Sequence, residues 1–352
     1  MDKKYRLCYI SRNYRGIGSA GNKAKTDNED TLETAGATNL GLQRSYHRSK
    51  IVTFFLDLAG VLKYIFCVRK DDMVLLQYPV KKYFSFLCRV ARWRGAKTIA
   101  LIHDLGSFRR QKLSVEQEIS RLMNADYVIA SNEVMRQWLS DHGYQHPLGA
   151  LGLFDYRSGA QNTGHTVSPN TRLVYAGGLA MRKNSFLLQL AEGPIPYHLH
   201  IFGNRDGLPG MKDNEHMVFH PFTPADDFIS KVDADFGLVW DGDSTDTCSG
   251  AFGEYLRYNS PHKASFYIRA RLPLVVWQQA AIAPIVEREG IGICINSLSE
   301  LETSLKAITP ERYETMRQHV VSVADRLNNG RFLLDALTEA IHILETNNNQ
   351  AS

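Results

Sequence analysis

Residues 236–276 read FGLVWDGDSTDTCSGAFGEYLRYNSPHKASFYIRARLPLVV. FGLVW is an unbroken apolar run of strand length, and LPLVV is another. Between them lie a small, polar stretch and then a helical segment opened by Pro261, His262 and Lys263. Strand, loop, helix, strand is the βαβ succession, whose two strands run parallel and are covered on both faces. The same alternation continues on either side. Apolar strand-like runs recur at 172–178, 197–203, 217–222 and 291–295, with helical stretches among them and helices over 311–327 and 331–344. Upstream of a polar segment at 155–171, rich in Gly, Ser and Asn, the runs RLCYI, MVLLQY, KTIALIH and DYVIAS alternate with helical segments at 26–41, 51–68 and 82–93. A further helix starts at Asn132, a suitable N-cap. The expected fold class is therefore α/β, with two Rossmann-like, doubly wound domains. Their expected limits are 1–155 and 156–330, with a terminal helix and tail over 331–352 free to cross back to the N-terminal domain.

Composition narrows the function. The chain has 352 residues, 44% hydrophobic and 22% charged, which suits packed domains rather than disorder. The formal net charge is only +4, which argues against a dedicated nucleic-acid protein. That average hides two unlike halves. Residues 1–150 hold 24 Lys and Arg against 14 Asp and Glu, and the remainder holds 17 against 23. The basic clusters include Arg44, Arg48 and Lys50, and the run Lys81, Lys82, Tyr83, Phe84, Phe86, Arg89, Arg92, Trp93 and Arg94. Interleaved basic and aromatic side chains suit an anionic membrane surface; an ordinary solvated helix face is the alternative. The five cysteines, at odd count and without CxxC spacing, point to a reducing interior. No signal-peptide core opens the chain, and the apolar run at 51–68 carries Asp57 and Lys63, so it reads as a buried or amphipathic helix. The expected location is cytoplasmic.

In doubly wound folds ligands meet the carboxyl ends of strands, and four places there carry chemistry. Gly16-Ile17-Gly18-Ser19-Ala20-Gly21 matches GxGxxG, but it begins well past the first strand, and no carboxylate follows the next strand to hold a ribose. A ligand-facing glycine loop is the better reading, with Lys23 just beyond it. His103-Asp104 closes the strand KTIALIH; a carboxylate there can act as a general base or simply cap the loop. His198, His200, His216 and His220 are close in sequence, yet no cysteine or carboxylate completes a zinc site at standard spacing. After FGLVW come Asp241 and Asp243, then Asn259, His262 and Lys263 at a helix start, where amides and an ammonium favour an anionic, phosphorylated ligand. The DGDSTD run lacks the spacing and closing Glu of a calcium loop.

VWDGDSTDTCSGAFGEYLRYNSPHK closely resembles the signature stretch of bacterial β-1,6-galactofuranosyltransferases of O-antigen and surface-polysaccharide synthesis. The resemblance extends to AGNKAKTD at 20–27, IHD at 102–104, VYAGGLAMRKNSF at 174–186 and the terminal helices. More distantly the chain is similar to the glucosyltransferases that modify serine-rich adhesins. The resemblance implies a GT-B fold, two Rossmann-like domains facing a central cleft, and a UDP-galactofuranose donor. It also implies inverting transfer, no cofactor and no metal. The implied acceptor is a glycan on a lipid-linked precursor, met at the inner membrane surface by a peripheral enzyme that can form homo-oligomers. Donor contacts fall to Arg182, Lys183, Asp241, Asp243, Asn259, His262 and Lys263. Asp104 is the implied base, with Asp27 and Asp241 as rivals, and Gly21, Lys23, Asp27 and His103 line the acceptor side. The E-x7-E motif of retaining relatives is not evident, which agrees with inversion. A UDP-glucose or UDP-galactopyranose transferase, an NAD(P)-dependent oxidoreductase and a non-catalytic scaffold are the competing readings.

Overall fold

Strands covered on both faces need no polar alternation, and each strand-like run named above forms one in the computed structural model. The structure describes residues 5–16, 20–79, 83–108, 113–164 and 171–351. By contacts the chain forms two units, Met1–Asp155 with Gly330–Ser352, and Tyr156–Asn329.

The first unit contains β1 (Arg6–Tyr9), α1 (Ala20–Thr34), β2 (Thr38–Asn39), α2 (Lys50–Cys67), β3 (Asp72–Tyr78), α3 (Phe84–Trp93), β4 (Lys97–Ile102), α4 (Val115–Leu122), β5 (Tyr127–Ala130), α5 (Glu133–Asp141) and β6 (Leu148–Ala150). Its sheet is parallel, in the order β2-β1-β3-β4-β5-β6. From β1 the chain moves outward to β2, then returns past β1 to β3. The order therefore reverses between β1 and β3, and the crevice for a ligand opens there.

The second unit contains β7 (Arg172–Ala176), α6 (Met181–Asn184), α7 (Phe186–Ala191), β8 (His198–Phe202), β9 (Met217–His220), α8 (Ala225–Lys231), β10 (Phe236–Val239), α9 (Gly250–Gly253), α10 (His262–Arg269), β11 (Leu274–Trp277), α11 (Ala283–Glu289), β12 (Gly292–Ile295), α12 (Leu301–Lys306) and α13 (Pro310–Asn328). Its parallel sheet runs β12-β11-β10-β7-β8-β9, the doubly wound dinucleotide order, with the reversal between β7 and β10.

The last helix, α14 (Arg331–Ala351), belongs to the first unit and packs against β5, β6 and α1. Leu333, Leu337, Ala340, Ile341 and Leu344 are buried at helical spacing. Asp155, itself buried, accepts from the Phe332 amide at 3.3 Å and the Leu333 amide at 2.8 Å, capping the helix start.

Three local expectations change. The helix placed at 26–41 starts at Ala20 and ends at Thr34, so Asp27 sits in its middle. Gly36, at φ 79°, stops it, and Ala37 N–H turns back to the Leu32 carbonyl at 2.9 Å. β2 and β6, two and three residues long, escape a pattern search altogether. Finally, Arg44 of the first basic cluster turns inward: its Nε donates to Glu29 at 2.9 Å and its other arm pairs with Asp30. Among the described residues no helix is long and apolar enough to cross a membrane.

Candidate functional site

The reversal point of the second unit is built from β7, β10 and α10. Tyr267 of α10 fixes the helix to the sheet: its ring covers Gly237 of β10, where any Cβ would overlap it, and its hydroxyl accepts from the Ala176 amide at 2.6 Å. Lys263 lies one turn earlier on the same helical face. Its Nζ stands 3.6 Å above the centre of the Tyr175 ring and 3.2 Å from Asp241 Oδ1. Tyr175, at the end of β7, donates its hydroxyl to the same Asp241 oxygen at 2.7 Å and accepts from Asn184. Lys183, in α6, reaches Asp241 Oδ2 at 3.6 Å. Backbone bonds join the two loops: Gly242 N–H donates to the Lys183 carbonyl at 2.7 Å. Gly242 has φ 128°, and a Cβ there would overlap the Ser249 carbonyl, so this turn requires glycine.

The result is one carboxylate held between two ammoniums, a net positive cluster. It sits at the carboxyl edge of β7 and β10, beside the start of α10, which no side chain caps. Burial pulls the Lys263 ammonium down to about 7; Asp241 resists that shift and Lys183 adds to it. Burial by itself would raise the Asp241 carboxyl, but Lys263, Lys183 and the Tyr175 hydroxyl hold it below the ordinary range. An incoming polyanion would favour the charged form of Lys263 and meet first-turn amides of α10.

The other donor-side residues fall around this cluster. Arg182 is exposed, its guanidinium 5.2 Å from the centre of the Phe252 ring. His262 opens α10 and stacks on Tyr156 with centroids 4.8 Å apart. Asn259 is half-buried, and its Oδ1 has no hydrogen-bond partner among the described residues. Asp243 is exposed and its carboxylate accepts from Ser249, which braces the loop ahead of α9. Sequence reasoning missed Tyr175, Asn184 and Tyr267. Tyr175 and Asn184 stand inside VYAGGLAMRKNSF, and the i, i+4 relation of Lys263 and Tyr267 was the only other signal.

In the first unit, His103 closes β4 and stacks on Phe154 at 5.0 Å. Its Nε2 lies 2.9 Å from Gln77 Oε1, which also accepts from Asn28 at 3.0 Å. Gln77 in turn donates to the Lys25 carbonyl at 3.0 Å, so α1, β3 and β4 are tied at their functional ends. Asp104 follows, half-buried. Asp27 is buried and gripped by Lys23, one turn earlier, at 2.7 Å. Gly21 lies in the first turn of α1; Ile17, Gly18 and Ser19 of the GxGxxG run fall outside the described residues. On the His-rich strands, His200 Nδ1 lies 2.9 Å from His220 Nε2, and burial lowers both rings. Among the described residues no three His, Cys, Asp or Glu side chains converge as metal ligands would.

The families described as Glucosyltransferase 3-like, N-terminal domain, and Glucosyltransferase 3-like, C-terminal domain, match residues 7–153 and 173–340. The β-1,6-galactofuranosyltransferase WbbI of Escherichia coli K12 is 30% identical over 353 aligned residues, covering 97% of this chain and 99% of that protein. Among solved structures, a sucrose-phosphate synthase of Thermosynechococcus elongatus aligns with a TM-score of 0.61 at 14% identity, covering 99% of this chain and 100% of that one. Anabaena HepE in complex with UDP-glucose aligns with a TM-score of 0.58 at 12% identity, covering 96% of this chain and 99% of that one.

Proposed function

From the premise that this chain belongs to the glucosyltransferase 3-like family, we propose that it moves galactofuranose from UDP-galactofuranose to a glycan acceptor, inverting the anomeric centre without a divalent metal. The chain has the GT-B fold and is a glycosyltransferase that uses a UDP-sugar. The observation that carries the proposal is the Lys263–Asp241–Lys183 cluster at the reversal point of the second unit. It offers protein cations where a leaving diphosphate needs charge compensation. The likeness to a β-1,6-galactofuranosyltransferase along nearly the whole chain supports the choice of sugar.

In this reading, Lys263, Lys183 and Arg182 bind the diphosphate, helped by first-turn amides of α10. Asp241 holds the two ammoniums in place, and Asn259, His262 and Asp243 border the donor. The acceptor hydroxyl oxygen attacks the anomeric carbon as the bond from that carbon to the UDP oxygen breaks. The hydroxyl proton passes to the Asp104 carboxylate, and UDP leaves with the bonding pair. His103 and Gln77 fix the end of β4 that carries Asp104. The acceptor is a lipid-linked saccharide, which the enzyme meets as a peripheral protein on the inner membrane face.

Incubation with UDP-galactofuranose and a panel of synthetic glycosides, with product linkage read by NMR, tests this. A β-linked galactofuranoside is the expected product. Transfer from UDP-glucose alone would overturn the donor assignment, and NADH binding without UDP binding would restore the oxidoreductase. Asp104→Asn should bind UDP-galactofuranose normally and transfer at under about a hundredth of the wild-type rate. Full transfer by that variant would remove Asp104 as base.

A further inference from the structure

α2 is apolar on two opposite faces. Thr53, Gly60, Val61 and Tyr64 are buried in the first unit. The opposite stripe, Ile51, Phe55, Leu62 and Phe66, follows helical spacing and stays uncovered, with Phe66 78% and Ile51 71% exposed. The charged residues of α2, Lys50, Asp57 and Lys63, all lie off this stripe. Cations flank both ends. Arg48 and Lys50 stand exposed at the start, and Arg69 and Lys70 stand exposed past the end. Arg94, at the close of α3, donates to the Ile65 carbonyl at 3.2 Å, which sets the 77% exposed Trp93 near the far end of α2.

Beside the first turn of α2 opens a cavity of about 380 Å³, at the β1–β3 reversal point. Arg12, Arg15 and Lys50 line it, against a single carboxylate, Asp57. Among the described residues Arg12, Arg15 and Lys50 enter no ion pair with a carboxylate. Phe54, Leu56 and Val61 form an apolar wall.

We propose that the outer stripe of α2 seats in the interface of an anionic bilayer, and that this cavity takes the phosphate head of a lipid-anchored acceptor. The proposal rests on the glycosyltransferase reading above and names where its acceptor is held. A bilayer fits because the uncovered surface is a lone helix stripe without carboxylates, ringed by cations and an exposed tryptophan, the pattern of interfacial helices. The cavity lies against the inner face of α2, where Gly60 and Val61 line it, and the exposed Lys50 and Phe54 of the first turns border it, where a lipid phosphate can be met.

Flotation of the full chain with phosphatidylglycerol vesicles, with neutral phosphatidylcholine vesicles, and with phosphatidylcholine carrying a few per cent of a polyisoprenyl phosphate tests both parts. The wild type should float with the first and third and stay behind with the second. A triple variant Ile51→Ser, Phe55→Ser, Phe66→Ser should lose at least about tenfold in partitioning, since each aromatic withdrawn from an apolar phase is worth roughly a factor of ten. Arg12→Gln with Arg15→Gln should keep phosphatidylglycerol binding within about twofold and lose the preference for polyisoprenyl phosphate. Calorimetry with UDP-galactofuranose reports folding of each variant and the donor reading independently. Failure of the wild type to bind UDP-galactofuranose overturns the donor reading and leaves flotation to judge the membrane claim. No flotation, flotation unchanged in the triple variant, or a dimer that this variant splits would overturn the docking surface. Equal polyisoprenyl phosphate binding by the arginine variant would overturn the cavity assignment.

Discussion

Replacing Lys263 with Met should weaken donor binding in a pH-dependent way. Methionine keeps the unbranched stem over the Tyr175 ring and removes the charge. The Lys263 side chain is 10% exposed, so solvent screens its charge little, and a hydrogen bond from it to phosphate is worth about 1.5–3 kcal/mol. The expected loss of UDP-glucose affinity is therefore about tenfold to a hundredfold near pH 6. The sign of the pH effect follows from the free protein, in which burial holds the ammonium at about 7. Below that value Lys263 is already charged and binds directly. Above it the site must first take up a proton, so wild-type affinity should fall by about tenfold between roughly pH 6 and pH 8. UDP-glucose, a diphosphate diester, does not titrate in this range, so the proton belongs to the protein. Isothermal calorimetry in buffers of different ionisation enthalpy measures both the affinity and the proton uptake. The Met variant should show a flat profile, and its deficit should shrink at high pH. Affinity that is flat with pH in the wild type, or equal in the two proteins, would refute the assigned role of Lys263.

Three further outcomes follow from the packing. Gly237→Ala drives a Cβ into the Tyr267 ring and should cost about 1–3 kcal/mol in urea unfolding, with donor affinity falling because α10 shifts. Gly242→Ala imposes φ 128° on a residue with a Cβ beside the Ser249 carbonyl; a loss of about 1–3 kcal/mol is expected, read as a lowered thermal midpoint. Asp155→Ala removes the acceptor for two amides of α14 and should lower stability by about 0.5–2 kcal/mol, seen as faster hydrogen exchange at Phe332 and Leu333.

Much of the frame was legible because parallel strands buried on both faces must be apolar throughout. FGLV, LVVW and KTIALI announce themselves in that way, whereas Thr38–Asn39 is too short and too polar to do so. The positions of Lys183, Asp241 and Lys263 could be read as strand-exit or helix-start residues. Their convergence on one carboxylate could not, because it depends on the sheet order that sets β7 beside β10. Tyr175 and Tyr267 were hidden for a related reason. Each looks like a core aromatic, and only the partner of its hydroxyl, Asp241 or the Ala176 amide, gives it a role at the site. Charge counting ranked basic segments but could not see that Glu29 and Asp30 draw Arg44 inward. The outer stripe of α2 also escaped notice, because the run at 51–68 reads as a buried or amphipathic helix, and neither form leaves an apolar face uncovered.

The return of α14 to the first unit bears on synthesis. A ribosome releases Met1–Asp155 first, yet this unit lacks its final helix until the intervening Tyr156–Asn329 has emerged. The later-made unit is complete in sequence before the earlier one. Through that interval the surfaces of β5, β6 and α1 that α14 covers stand open, and Asp155 waits in water for the two amides it will cap. The first half therefore completes its packing only when the last helix arrives.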